Sequence, residues 1–453
     1  MNQTTLAWRF AHWSASLTTQ TVPPAVRHTA RRAILDTFGV IAAGAQHKAT
    51  QTALAAFGPT PTPTAIALIL GTAAHAWDWD DTSYAGINHG SAVVLPAVLA
   101  AQAISGADDA TALAAFVAGS EIAYTLGEVI GSGHYFRGWW STITLGLIGA
   151  TVAACRTLGL SADATGHAIA LAAAMAGGGK SVFGTDGKPF LVGMAARNAL
   201  DLALAAQAGL TGPVHAFEDS RGFLSLLGDG SAQPEIACSL GTRWRLTDPG
   251  LLIKSHPVCS AAHAAIEMTA QLCRQACATP DQIAAILCHV PHLVDISLVH
   301  DHPHSAQEAQ FSLPFAVACA ADHGGVRLDD LIDHRFADPD ILALMARVRK
   351  MHDPALSTPQ MLLAAPESAR VVLHLADGRR LEGFCPVAYG MPQRPLSDDD
   401  LLAKFAECQR LAGWHSNSVT PASILALGAG SERILTAARA VFWPNAGLSA
   451  KGG

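Results

Sequence analysis

Asp81-Thr-Ser-Tyr-Ala-Gly-Ile-Asn-His89-Gly-Ser-Ala-Val-Val-Leu-Pro96-Ala-Val-Leu-Ala-Ala-Gln-Ala-Ile-Ser-Gly-Ala-Asp108 carries no formal charge between its end aspartates, and Arg137 to Arg156 brackets a second run of the same kind. Either run is long enough to cross a bilayer. Both are rich in Gly, Ser and Thr, however, and the first contains His89 and Pro96. That composition fits helices buried in protein, so the fold is read as mainly α: a large all-helical domain, with no membrane partner. The rest of the chain agrees. Half of the 453 residues are hydrophobic but only 6% are aromatic, the apolar share coming largely from Ala and Leu, which suits closely packed helices better than a β-sandwich. A chain of this length exceeds what one core usually serves, and two domains are expected.

The stretch just upstream, His75-Ala-Trp-Asp-Trp-Asp-Asp-Thr82, packs three carboxylates, an imidazole and a hydroxyl together, and His89 follows. On a helix His75, Asp78 and Thr82 share one face, Asp80 points elsewhere and Asp81 flanks it. Gly86-Ile-Asn-His-Gly90 cannot comfortably continue a helix, so His89 is expected on a loop folding back over that face. On this reading Asp80 and Asp81 are helix-end polarity.

Periodicity predicts helices on both sides of this stretch. Leu6, Phe10 and Trp13 mark one, Val26 to Ile41 a second, and further helices are expected at about 92–105, 108–131, 141–158, 162–175 and 190–209. After Pro249 the pattern changes. Residues 250–254 and 282–290 read as strands, 261–277, 311–323, 327–334 and 339–350 as helices, and 370–375 with 380–385 as a hairpin across Ala376-Asp-Gly378. Residues 1–245 are therefore assigned to the large helical domain and 250–396 to a smaller α+β domain. Helices predicted at 398–411, 421–427 and 431–441 complete the large domain through 397–453.

Net charge is −7, with no basic stripe and no basic–aromatic interleaving, which excludes nucleic-acid binding as a reading. Nine cysteines occur without a zinc-type pair, as expected of reduced thiols. No basic n-region or cleavage site opens the sequence, and a cytoplasmic location is expected.

Lysine is scarce. Between Lys48 and Lys350 only Lys180, Lys188 and Lys254 occur. Lys188 lies in Gly184-Thr-Asp-Gly-Lys-Pro-Phe190, a loop entering a helix, and Lys254 precedes another helix start. Ammonium groups beside helix N-termini suit an anion, and two of them suit a ligand with two or more carboxylates. Gly177-Gly-Gly-Lys-Ser181 imitates a phosphate loop, but Ala174 stands where its first glycine belongs. The histidines between His289 and His304 fit no metal-ligand spacing. Zincin, nucleophile-elbow and dinucleotide motifs are absent, so no cofactor and no metal are expected.

Taken as a set, His75-x-x-Asp-Trp-Asp-Asp-Thr, His89, Arg137-Gly-Trp-Trp-Ser-Thr, Gly184-Thr-x-Gly-Lys-Pro-Phe, Lys254-x-x-Pro-x-Cys-x-x-x-His and Ala309-Gln-Phe-Ser-Leu-Pro-Phe resemble the MmgE/PrpD family. That family includes 2-methylcitrate dehydratase, cis-aconitate decarboxylase and iminodisuccinate epimerase. The resemblance implies an α+β lid on the helical domain, a homodimer, a site in the cleft between domains, and chemistry without metal or organic cofactor. It places Asp78, Thr82 and His89 in the first site motif, makes Lys188 and Lys254 substrate-facing, and puts Cys259 and His263 in a segment supplying a further polar group. Tyr135 and Arg137 are added as substrate-binding candidates. Two departures stand out: many relatives have a histidine where this chain has Trp140, and the decarboxylase has a tyrosine where this chain has Phe311. Both argue against cis-aconitate decarboxylation. The expected activity is a dehydratase-like lyase removing a proton beside a carboxylate of a small di- or tricarboxylate. His89 is the base, Asp78 its orienting or alternative partner, Lys188 and Lys254 the charge-neutralising groups, and Thr82 a positioning hydroxyl. An epimerase of an iminodisuccinate-like dicarboxylate, or a family member with a decayed site, are the alternatives.

Overall fold

A computed structural model describes residues 5–413, together with Pro421 and Phe442. The helices expected at 421–427 and 431–441 lie outside the described residues, Pro421 apart. The first part of the chain is helical throughout: α1 (Leu6–Ser16), α2 (Pro24–Ala43), α3 (Lys48–Phe57), α4 (Pro63–His75), α5 (Gly90–Ser105), α6 (Asp109–Ile130), α7 (Gly133–Phe136), α8 (Ser141–Thr157), α9 (Ala162–Met175), α10 (Gly187–Gln207) and α11 (Phe223–Leu227). Helix α3 has no counterpart in the periodicity reading. Ser161 and Asp108 cap α9 and α6 as their positions predict, accepting from Ala164 N and Thr111 N. The two uncharged runs form α5 and α8, buried among other helices. Among the described residues one helix, α6, is long and apolar enough to cross a membrane, and nearly all of it is covered by protein.

The second part opens with α12 (His263–Ala276) and β1 (Ile283–Val290), continues through α13 (His292–Ser297), α14 (Ala306–Ala309), α15 (Leu313–His323), α16 (Leu328–Ile332) and α17 (Pro339–Met345), and adds β2 (Val348–His352), α18 (Pro359–Ala364), β3 (Ala369–Leu375) and β4 (Arg380–Cys385). The four strands form one sheet in the order β2-β1-β3-β4, with β1–β2 parallel and the other pairs antiparallel. The hairpin falls where the sequence put it. Strand β2 corrects the expected helix at 339–350: its residues alternate poorly, and they become a strand only because β1 offers a parallel edge, Ile286 opposite Val348. The expected strand at 250–254 is reduced to a single bridge, Leu252 pairing with Thr82. Helix α19 (Asp398–Ala412) then returns to α2, with Phe405 against Phe38 and Lys404 paired to buried Asp36 at 2.6 Å.

Helices α4 and α10 set the geometry of the interior, because α4 ends and α10 begins beside each other. They cross at Gly71 and Gly193, so closely that a Cβ on Gly193 would lie 2.1 Å from Leu68 O and 2.4 Å from Thr72 Oγ1. The backbone contact brings His75, at the C-terminal end of α4, and Lys188, in the first turn of α10, to one place. Gly193→Ala forces that crossing apart. The expected loss is about 3 kcal/mol, at the upper end for overpacking because backbone meets backbone, read as a lower midpoint in urea unfolding.

Candidate active site

Helix α4 stops at His75, and Asp78 follows three residues later in the left-handed region, at φ +50°. This corrects the helical face predicted for His75, Asp78 and Thr82. A non-glycine residue held there costs about 1–3 kcal/mol, a strain the surroundings must over-determine. They do. Trp77 Nε1 donates to Ala43 O at 3.0 Å, and Thr82 and Leu252 exchange backbone hydrogen bonds of 2.9 and 2.8 Å. The chain then turns at Gly86 and Ile87, pairs Asn88 with Ser83, and delivers His89 to the start of α5, folded back as expected.

Asp78 is the hub. Lys188 Nζ donates to its Oδ1 at 2.5 Å; Lys254 Nζ donates to its Oδ2 at 2.9 Å and to its main-chain oxygen at 2.6 Å. All three side chains are buried. Burial opposes the charge on Asp78, but Lys188, Lys254 and then the two imidazoles outweigh it and hold the carboxyl well below the usual range. Burial likewise opposes the Lys254 ammonium, and Asp78 more than restores it.

Asp80 occupies the centre of a second group. Its carboxylate lies 2.8 and 2.9 Å from His75 Nδ1 and 3.2 Å from His89 Nδ1, and the two rings meet edge to face with centroids 4.8 Å apart. Burial lowers His75 to about 4, so this imidazole is neutral near pH 7 and gives its Nδ1–H to Asp80. Asp80 also stands at ion-pair distance from His89 Nδ1, which has no other partner among the described residues; with a proton on Nδ1 facing that carboxylate, Nε2 is the ring nitrogen left for a ligand. Asp80 and Asp81 are therefore not helix-end polarity. Asp81 is fully buried, accepts from Ser91 Oγ at 2.7 Å and is pushed well above the carboxylate range, first by burial and then by Asp36.

A cavity of about 560 Å³, its mouth included, lies against these groups. Of the candidate residues named from the sequence, Asp78, Thr82, His89, Tyr135, Lys188, Lys254 and Cys259 line it. Its other polar wall was not anticipated: Tyr84, Ser260, Ser297 and Glu367. Tyr84 lay inside the motif that drew attention, but Glu367 stands alone before β3 with no local signal. One side of the cavity is aromatic. Trp140 meets Phe183 edge to face at 5.6 Å, Phe183 stacks on Phe311 at 5.5 Å, and the Lys188 ammonium lies 5.0 to 5.9 Å from all three ring centres. Trp140 and Phe311, far apart in sequence, thus form a single wall.

Two candidates fall elsewhere. Arg137 is exposed and donates to Gly228 O, because α7 turns it toward the loop after α11. His263 is buried against His256 at the start of α12 and lines a neighbouring cavity with Glu267 and Arg394. Lys180 sits 3.6 Å above the Tyr135 ring. Among the described residues, one group has metal-ligand proximity: His75, Asp80 and His89, whose donor atoms lie within 4.8 Å of one another. Both imidazoles already face the Asp80 carboxylate, and Lys188 adds positive charge beside His75, which opposes a cation there.

Comparison with known proteins finds two family models along the chain. Residues 8–237 match the MmgE/PrpD N-terminal domain and residues 256–415 the MmgE/PrpD C-terminal domain. The chain belongs to the MmgE/PrpD family. It is 27% identical to a cis-aconitate decarboxylase-like protein of Aspergillus oryzae, covering 72% of this chain and 71% of that protein. Human cis-aconitate decarboxylase is 26% identical over 75% and 71%, and that of Aspergillus terreus 25% identical over 87% of each.

Because folding depresses the Asp78 carboxyl, its stabilising contribution is present above the unfolded value of about 3.9 and is lost as pH falls toward the folded one. Asp78→Asn leaves two buried ammoniums without a counter-charge. The variant is expected to be clearly less stable than the parent at pH 7, with the gap narrowing between about pH 5 and pH 2, as measured by urea unfolding across that range.

Proposed function

We propose that this protein is a lyase that removes a proton from the carbon beside a carboxylate of a small di- or tricarboxylate and then expels a neighbouring hydroxyl group. The observation that carries the reading is the meeting of one available imidazole nitrogen and two buried ammoniums at a single cavity around Asp78. A proton next to a carboxylate is weakly acidic, so the charge that develops on the carboxylate oxygens needs cations already in place. Lys188 and Lys254 supply them without reorganisation, since Asp78 holds both. His89 is the base. Asp80 keeps the proton on Nδ1 and stabilises the imidazolium formed when Nε2 accepts one. Thr82 orients a substrate oxygen, and Tyr135 and Cys259 complete the polar lining. Burial pushes the Cys259 thiol up to about 12, so it packs and hydrogen-bonds as a neutral group.

The relatives from Aspergillus and human are decarboxylases of cis-aconitate or resemble them. Loss of carbon dioxide would use the same lysines, but it needs a proton delivered to carbon. The side of the cavity formed by Trp140, Phe183 and Phe311 carries no acid–base group, so a proton could reach carbon only from the opposite, polar side, where His89 and Glu367 stand.

Incubation in D2O with hydroxylated di- and tricarboxylates and with cis-aconitate, followed by NMR, tests the proposal. The expected result is alkene formation, with deuterium entering the remaining hydroxylated substrate at the carbon beside the carboxylate by reversal of the abstraction. Release of carbon dioxide without elimination, or deuterium exchange with inversion and no alkene, would overturn it. His89→Ala and Lys188→Ala are each expected to lower kcat by about 10²- to 10⁴-fold, and wild-type rates in either variant would contradict the roles given.

A further inference from the structure

His89 accounts for the proton that leaves carbon, but expulsion of a hydroxyl group also needs a proton on the departing oxygen. We infer that Glu367 is that proton donor, an assignment that rests on the lyase reading. Glu367 lines the same cavity as His89, Lys188 and Lys254, yet it is carried by the α+β part of the chain, on the short turn leading into β3. It is 6% exposed. Its Oε2 accepts from Tyr84 Oη at 2.8 Å and its Oε1 from Ser260 Oγ at 2.9 Å, so both oxygens are fixed in place by neutral hydroxyls.

That environment differs from those of the other carboxylates of the site. Asp78 is paired with two ammoniums and Asp80 with two imidazoles, while Glu367 has no cation within ion-pair distance among the described residues. Burial raises its carboxyl above the ordinary range, against the opposing pull of Tyr84, Ser260 and Lys254. Among the other acidic side chains on the cavity wall, Tyr84, Tyr135 and Cys259 are poorer donors: burial lifts the two phenols further above their usual values, and Cys259 to about 12. A protonated Glu367 can accept the two hydroxyl hydrogen bonds and still direct its own O–H into the cavity.

The step balances. His89 Nε2 takes the proton from carbon, the electron pair forms the carbon–carbon double bond, and the bond to the neighbouring hydroxyl oxygen breaks. That oxygen takes the Glu367 proton and departs as water. Imidazolium and carboxylate are left, and proton exchange with solvent resets both once the product leaves.

Separating proton abstraction from elimination tests this. Glu367→Gln has the same shape and keeps a carbonyl acceptor. With a hydroxylated substrate in D2O, the variant is expected to retain deuterium exchange within about tenfold of wild type, while elimination falls about 10²- to 10⁴-fold. With the matching fluoro analogue, whose leaving group needs no proton, elimination by the variant should return to within about tenfold of wild type, because the acid's contribution is no longer called on. Tyr84→Phe, which removes one of the two hydroxyls, should show the same selectivity in weaker form, and it provides the test if the glutamine variant does not fold. Wild-type elimination of the hydroxyl substrate by Glu367→Gln would overturn the inference. So would equal losses of exchange and of both eliminations. A wild-type protein that neither exchanges nor eliminates would instead overturn the lyase reading, and this assignment with it.

Discussion

A single buried carboxylate holds the site together. Asp78 accepts from Lys188 on α10 and from Lys254 on the segment leading to α12, so it joins the helical part of the chain to the α+β part through two ion pairs hidden from water. Burying one carboxylate with two ammoniums is costly unless every group is paired and directed. The strained backbone at Asp78 allows that pairing, because it turns the carboxylate and the main-chain oxygen toward the same cation.

Around this hub the fold supplies rigidity from several directions. The glycine crossing of α4 and α10 sets how closely His75 and Lys188 approach, and the bridge between Thr82 and Leu252 sets how closely the Lys254 segment lies against the Asp78 segment. Gln307 of α14 donates to Asp186 at 2.8 Å, tying the start of α10 to the α+β part. The charged groups of the cavity therefore sit at the ends of well-packed elements or on short connections between them, where small positional errors are resisted. Division of labour follows from electrostatics. Asp78 pairs with both lysines, Asp80 faces both imidazoles, and Glu367 is bonded only to hydroxyls.

Much of this was legible in the residues. Helices α5, α6, α8 and α9 begin and end within two residues of their periodicity and capping signals, because those signals are local. The rarity of lysine pointed to Lys188 and Lys254, since a charge in an otherwise apolar chain needs a reason. What failed depended on the path of the chain in three dimensions. Strand β2 needed the edge of β1, Asp80 needed His75 and His89 brought together by a turn, and Arg137 and His263 were carried away from the cavity by the local direction of α7 and α12.

The sequence by itself determined a mainly helical fold with a smaller α+β part, membership of a family through motifs spread along the chain, and a short set of acid–base residues. Those properties reside in periodicity, composition and residue type, which need no third dimension. Only the tertiary structure decided that one aspartate serves both lysines, that Trp140 and Phe311 form one wall, and that Glu367 shares the cavity. Each of these brings together residues more than a hundred positions apart in the chain, and nothing in either local sequence records the other.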